Sequence, residues 1–384
     1  MNVAVSKELN ELLNWRVFMA VTPVVPPEKI PALSYDIPVI YRGRGLDCKI
    51  EWKYYILPSA EGIVVKNPRL TGYIASALVP YDADFGINEH EYVNHLKEVS
   101  KAEKLCAVYV NALVGEVFSL EPHERRRLLT LARQTVPPSI PIMSGVIGNR
   151  MSEIVQAAHE AKEAGADIIE VMPPFDVLWL RRLMERDDVP YQFFKELARE
   201  VNMPISIFKY SAERGLAYSN EALARMAEDI EQVVAMKTSC CTCADYYQVW
   251  NRLKGKLSIF VTGADTVDML GMMMIGSDGA QAGIMALGRQ NWSRFISLCL
   301  DGKYTEARNI YMEKCAPIAD HIFGAPLRTS RPHRTGSTTA FIKEALVAMG
   351  MFSSARVRPP DVDATKEERE GIRGLLKRLE LLPQ

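Results

Sequence analysis

The run Val233-Val234-Ala235-Met236-Lys237 puts a lysine at the end of an apolar segment. A near-continuous aliphatic run is what a parallel strand covered on both faces requires, so the amine at its carboxyl end is partly withdrawn from water. Desolvation disfavours the ammonium form and lowers the amine's pKa. A neutral amine attacks a ketone and forms an iminium, which draws electrons from the adjacent carbon–carbon bond as that bond is made or broken. The other reading of the same position is a strand-end lysine whose ammonium reaches out to water. Lys209 and Arg214 bracket Tyr210 and suit a second carboxylate or a phosphate on a substrate. Ion pairs with surface acids such as Glu213 are the simpler role for both. Cys240-Cys241-Thr242-Cys243 follows Lys237 closely, yet adjacent cysteines rarely aim both sulfurs at one tetrahedral ion, and His321 and His333 are distant in sequence. No metal is expected there, and the cysteines read as small loop and helix-face residues.

A lysine is useful only where the fold holds it. From about residue 71 onward, strand-like runs alternate with amphipathic helical stretches. The runs are Gly72–Val79, Leu105–Asn111, Ile140–Gly145, Asp167–Met172, Pro204–Lys209, Gln232–Lys237, Ser258–Gly263 and Gly279–Ile284. One helix follows Ser152-Glu153 with Ile154, Ala158 and Ala161 on one face and stops at Gly165. Another has Pro122 in its first turn and Pro137-Pro138 as its terminator. Such alternation leaves a closed barrel or a doubly wound sheet. A doubly wound sheet would carry a Gly-rich turn after its first strand, where Val79-Pro80-Tyr81-Asp82 stands instead. The expected architecture is therefore an α/β (β/α)8 TIM barrel over 71–300, with Lys237 at the carboxyl-end face that holds the chemistry in barrels. A C-terminal helical layer is expected over 301–384. Residues 1–70, rich in proline and with Ile50, Trp52, Tyr54 and Ile56 alternating as in a strand, read as a small β-rich extension. Gly62–Lys66 is its candidate hairpin partner.

Charge excludes some classes of partner. The 384 residues hold 46 Lys+Arg against 47 Asp+Glu, a formal charge of −1, so no long-range field gathers nucleic acid or anionic lipid. Apolar stretches such as Met272–Ile275 are too short to span a bilayer, and Lys7, Glu8 and Glu11 interrupt any secretory core. Seven cysteines, an odd number, suit a reducing compartment rather than a disulfide framework. A cytoplasmic protein without nucleic-acid or membrane partners is expected.

Taken in order, the motifs resemble the dihydrodipicolinate synthase / N-acetylneuraminate lyase family. Gly72-Tyr73-Ile74-Ala75-Ser76-Ala77-Leu78-Val79-Pro80-Tyr81 is similar to its opening strand. Asn111-Ala112-Leu113-Val114-Gly115-Glu116 stands where the family has Gly-Thr-Thr-Gly-Glu. Val171-Met172-Pro173-Pro174-Phe175, Gly263-Ala264-Asp265, Gly276-Ser277-Asp278-Gly279-Ala280, Ile342-Lys343-Glu344-Ala345-Leu346 and Arg358-Pro359-Pro360 follow as later landmarks. The resemblance covers 71–384 and puts Lys237 in the Schiff-base position of a pyruvate-dependent class I aldolase. It implies a homo-tetramer or homo-dimer and no cofactor.

Within that resemblance, three hydroxyls are replaced. Phe208 stands in the place of the family's tyrosine, with Tyr210 two residues on and on the same face of an extended strand. Leu113-Val114 stands for the Thr-Thr pair, whose backbone N–H groups bind the substrate carboxylate and survive side-chain replacement. Glu116 is expected to brace that turn. Lys237 and Tyr210 are thus the expected catalytic residues, and Leu113, Val114, Phe208, Gly263, Gln281 and Arg214 the expected substrate contacts. The implied activity is a carbon–carbon lyase or synthase on a 2-oxo acid and an aldehyde-like partner, not the standard dihydrodipicolinate synthase reaction. Two alternatives share these residues: a non-catalytic homologue that binds a 2-oxo acid or a protein, and a hydratase-aldolase on aromatic substrates.

Overall fold

The computed structural model describes residues 69–172, 183–184, 186–210, 218–239, 242–262, 268–323 and 337–383, together with two short strands before them. The chain divides into two units, Met1–Val65 and Lys66–Gln384. In the first, β1 (Val39–Ile40) pairs antiparallel with β2 (Ile50–Glu51). The expected partner segment Gly62–Lys66 lies outside the described residues.

In the second unit eight strands close into a barrel: β3 (Gly72–Ser76), β4 (Leu105–Val110), β5 (Ile142–Val146), β6 (Ile168–Val171), β7 (Ile205–Lys209), β8 (Val233–Thr238), β9 (Ser258–Val261) and β10 (Gly279–Gln281). All pairs are parallel, and the ring closes between β10 and β3, Gly279 opposite Gly72. Each strand falls on one of the eight apolar runs. The first and last are shorter than their runs, because Ala77 onward leaves the sheet and Gly283–Ala286 forms a 3-10 turn. Among the described residues no helix is long and apolar enough to cross a membrane.

Helices cover the outer face of the barrel, and local chemistry sets their ends. The helix Asn220–Asp229 begins where the Ser219 hydroxyl accepts the Ala222 N–H at 2.9 Å. The helix Cys243–Leu253 begins where Thr242 accepts the Asp245 N–H at 3.1 Å. Both satisfy donors that a helix start leaves without partners. The helix Met151–Glu163 ends before Gly165, whose φ of 99° needs a residue without Cβ.

Alternation along the strands sorts two cores. Ile205, Ile207, Val171 and Met236 point outward, into the layer shared with the helices. Ile74, Tyr109, Met143, Ile168, Phe208, Ala235 and Phe260 fill the inside, a packed interior and not a pore.

The turn after β4 is fastened from the C-terminal layer. Lys343, on the helix Thr338–Ala348, is completely buried; its amine donates to the Glu116 carboxylate and to the Arg356 carbonyl, the latter at 2.9 Å. The Arg358 N–H donates to the second Glu116 oxygen at 2.9 Å. The Arg358 guanidinium grips Glu124 at 2.6 and 2.7 Å and the Ser119 carbonyl at 2.8 Å. Glu116 itself sits at a φ of 56°, left-handed backbone that costs about 1–3 kcal/mol and persists only where its surroundings hold it. Here they do. The 3-10 turn Leu113–Gly115 is thereby set against the end of β3: a Cβ on Gly115 would lie 2.9 Å from the Ala77 carbonyl oxygen.

Removing one member of a buried ion pair leaves the other uncompensated. Lys343→Met is expected to cost about 3–5 kcal/mol of folding stability in urea unfolding. A loss below about 1 kcal/mol would show instead that Glu116 reaches water or another cation.

Candidate active site

Strand β8 carries Lys237 on its inward face, one residue before its end. The register places it between Phe208 of β7 and Phe260 of β9. Both neighbours are aromatic, so the stem is walled by rings. The amine lies 4.2 Å from the Phe208 ring centre and 5.8 Å from that of Tyr109 on β4. Lys237 is only 8% exposed, and among the described residues its amine makes neither a hydrogen bond nor an ion pair. Burial pushes its pKa below the ordinary lysine value, and the charge of Glu170 opposes that shift. A buried amine with a depressed pKa and no salt-bridge partner has what a nucleophile needs.

The expected substrate contacts divide. Leu113, Val114 and Tyr210 are partly buried and pack on the same interior cluster as Phe208 and Tyr109. The N–H groups of Leu113 and Val114 open the 3-10 turn, and among the described residues neither donates to a carbonyl, as the first donors of any such turn lack partners within it. The Val114 side chain presses on Gly283: a Cβ there would lie 2.3 Å from a Val114 methyl. Tyr210 follows the end of β7, and its ring tilts against Phe208 with centres 4.8 Å apart. Lys209 is buried and shares the face of Ile205 and Ile207; period-two alternation turns it away from the barrel interior and away from substrate. Glu213, the acid expected to pair with it, lies outside the described residues. Cys243 packs on Gly271 of the next helix, where an added Cβ would meet its sulfur at 2.4 Å. Arg214, Gly263, Cys240 and Cys241 lie outside the described residues.

Gln281 does not stand alone, and the residue it serves is one that the motif order did not single out. Its amide donates to both oxygens of Glu170, at 3.1 and 3.0 Å. Glu170, on β6, is fully buried inside the barrel and also accepts from the Ser206 hydroxyl at 3.4 Å. The Tyr109 hydroxyl is buried beside the same carboxyl but outside full hydrogen-bonding geometry. Burial raises the Glu170 pKa, with the Lys237 charge and the neighbouring donors pulling it back. Burial, and then the Glu170 charge, hold the Tyr109 phenol well above its usual range. The sequence signal for this group is a single carboxylate inside the apolar run Ile168-Ile169-Glu170-Val171-Met172.

Curated relatives include a 4-hydroxy-tetrahydrodipicolinate synthase of Aquifex aeolicus, 26% identical over 241 residues, which are 62% of this chain and 78% of that one. Another, from Methanopyrus kandleri, is 23% identical over 82% of this chain and 98% of its own. Among solved structures, N-acetylneuraminate lyase from Fusobacterium nucleatum superposes with a TM-score of 0.68 at 19% identity, over 82% of this chain and 99% of that one. The dihydrodipicolinate synthase from Acinetobacter baumannii, solved in complex with pyruvate, gives 0.69 at 20% identity, over 82% and 100%. These structural likenesses establish the barrel. Members of the family are lyases. Because the model of the dihydrodipicolinate synthetase family matches residues 69–379, from the strand that opens the barrel to the last helix, the chain belongs to that family.

Proposed function

We propose that the protein is a Schiff-base-forming carbon–carbon lyase or synthase acting on pyruvate or a close 2-oxo acid and an aldehyde-like partner. The observation that carries this is the Lys237 amine, buried inside the barrel with no ion pair among the described residues. Its nitrogen attacks the 2-oxo carbon, and loss of water leaves an iminium. The N–H groups of Leu113 and Val114, which donate to no carbonyl among the described residues, supply a cradle for the carboxylate. Removal of a methyl proton then gives an enamine, which adds to the carbonyl carbon of the partner; the reverse sequence cleaves the same bond. Tyr210 supplies a hydroxyl at the barrel mouth, one strand step beyond Phe208. With Phe208, Leu113 and Val114 in place of three hydroxyl groups, the site favours a less polar electrophile, such as an aromatic or alkyl aldehyde.

Those same replacements favour one other reading, a family member that binds a 2-oxo acid without turnover. Enamine formation separates the two, because it exchanges the methyl protons of pyruvate with solvent and simple binding does not.

Incubation with pyruvate and borohydride, followed by mass spectrometry, should yield a reduced adduct on Lys237 in the parent protein and none in Lys237→Ala. An unmodified parent protein would eliminate the Schiff-base reading. In deuterium oxide the parent protein should exchange the pyruvate methyl protons, and Tyr210→Phe should slow that exchange about 100-fold, the low end of general acid–base contributions, while borohydride trapping persists. Equal exchange rates would reduce Tyr210 to a packing residue on Phe208.

A further inference from the structure

A carboxylate buried at the centre of a barrel and held mainly by neutral donors is an expensive arrangement, tolerated where a matching charge is near. Around Glu170 the strands present few candidates. Ile74 of β3, Met143 of β5 and Phe260 of β9 are apolar; Ser206 of β7, Ser258 of β9 and Gln281 of β10 do not titrate. Among the described residues, the titratable groups coupled to it are Lys237 of β8 and Tyr109 of β4. Lys237, in turn, feels no charged group but Glu170 among the described residues. The two are therefore each other's electrostatic partner without being in ion-pair contact.

We propose that Glu170 is the proton store and counter-charge of the Lys237 site. This deepens the Schiff-base reading above and rests on it. The ammonium of Lys237 gives one proton to the Glu170 carboxylate, leaving a neutral amine and a neutral acid. The amine's lone pair forms the bond to the 2-oxo carbon, the carbonyl π pair moves to oxygen, and a proton passes from nitrogen to that oxygen, giving a neutral carbinolamine. The carbon–oxygen bond then breaks, and the oxygen leaves as water with the proton returned by Glu170. The nitrogen lone pair closes the C=N bond. The product is a cationic iminium facing a carboxylate, so the net charge of the buried pair is the same at every stage. That constancy matters in a low-dielectric interior, where an unbalanced charge is costly. The Tyr109 hydroxyl, which adjoins Glu170 and whose ring lies 5.8 Å from the amine, carries the proton between them. Ser206 and Gln281 fix the carboxyl in place. Glu170 exchanges that proton with the reacting atoms only by way of Lys237 and Tyr109.

The test reads Lys237 directly, in the full-length protein. Competitive acetylation with acetic anhydride across pH, followed by mass spectrometry, gives the midpoint at which the amine becomes neutral, with no 2-oxo acid present. An anion nearby raises that midpoint, so Glu170→Gln should lower it by about one pH unit, a tenfold change in neutral amine at a given pH. The same variant should retain at least about tenfold less borohydride-trapped pyruvate at neutral pH, because the iminium has lost its counter-charge; Glu170→Asp should recover part of both. Tyr109→Phe should leave the midpoint in place and slow trapping. An unchanged midpoint with undiminished trapping in Glu170→Gln overturns the role of Glu170 alone. Absence of any adduct in the parent protein overturns the Schiff-base reading, and this proposal with it. Should Glu170→Gln not fold, Lys237→Met reports the same coupling through stability. Without the lysine, the folded-state pKa of Glu170 stands further above its unfolded value, so the stability it contributes is present at low pH and lost as pH rises. From about pH 5 upward, above the unfolded carboxylate range, the variant should lose up to tenfold in its folded-to-unfolded ratio per pH unit relative to the parent; parallel pH profiles would overturn the coupling.

Discussion

An amine can be nucleophilic at neutral pH or fully hydrated, and seldom both. Lys237 is withdrawn from water by the barrel itself: its strand is buried on both faces, its register neighbours are Phe208 and Phe260, and its stem runs through an interior of close-packed side chains. Desolvation of this kind moves a lysine pKa by several units when nothing compensates. Compensation by a contacting carboxylate would restore the ammonium and end the nucleophilicity. The described residues supply a carboxylate at a distance instead, Glu170, so its charge moderates the amine without pinning it. The rest of the site depends on that balance.

Balance at the amine is useful only if substrate is presented to it, and in the proposed reaction that task falls to the opposite side of the barrel. The turn Leu113–Gly115 offers backbone donors, and donors are only as well placed as the turn that carries them. Its support is remote in sequence: Lys343 and Arg358 reach it from the C-terminal layer through Glu116, and Arg358 goes on to the helix Pro122–Thr135 through Glu124. The helices beyond the eighth strand are thus mechanically part of the site. Leu113 and Val114 line the turn with aliphatic side chains, while its N–H donors belong to the backbone and do not depend on side-chain identity.

Much of this was legible in the amino-acid sequence. Eight apolar runs of strand length, separated by helices with readable caps, give alternating strands and helices because burial and amphipathicity each impose a period. Val79-Pro80-Tyr81-Asp82 in place of a Gly-rich turn favours the closed barrel over a doubly wound sheet. Lys237 stood out because a charged residue ending an apolar run demands a reason. The same logic applies to Glu170, which interrupts an equally apolar run, yet its importance depends on Gln281, Ser206 and Tyr109 converging from three other strands. Convergence across a barrel is set by shear and register, which no local pattern records. Lys209 lies one residue from Phe208, and a strand turns adjacent side chains to opposite faces, which sets it on the outward face with Ile205 and Ile207. Arg214 and Gly263 lie outside the described residues, so their expected contacts with substrate have no geometry to set beside them.

Diffraction from crystals soaked in pyruvate gives the most direct measurement of whether the Lys237 nitrogen is the reacting atom. Electron density continuous from that nitrogen to the second carbon of pyruvate, with the carboxylate against the amides of Leu113 and Val114, is the predicted result. A lysine with unmodified density beside a fully occupied pyruvate, or pyruvate bound only away from the barrel interior, would contradict it.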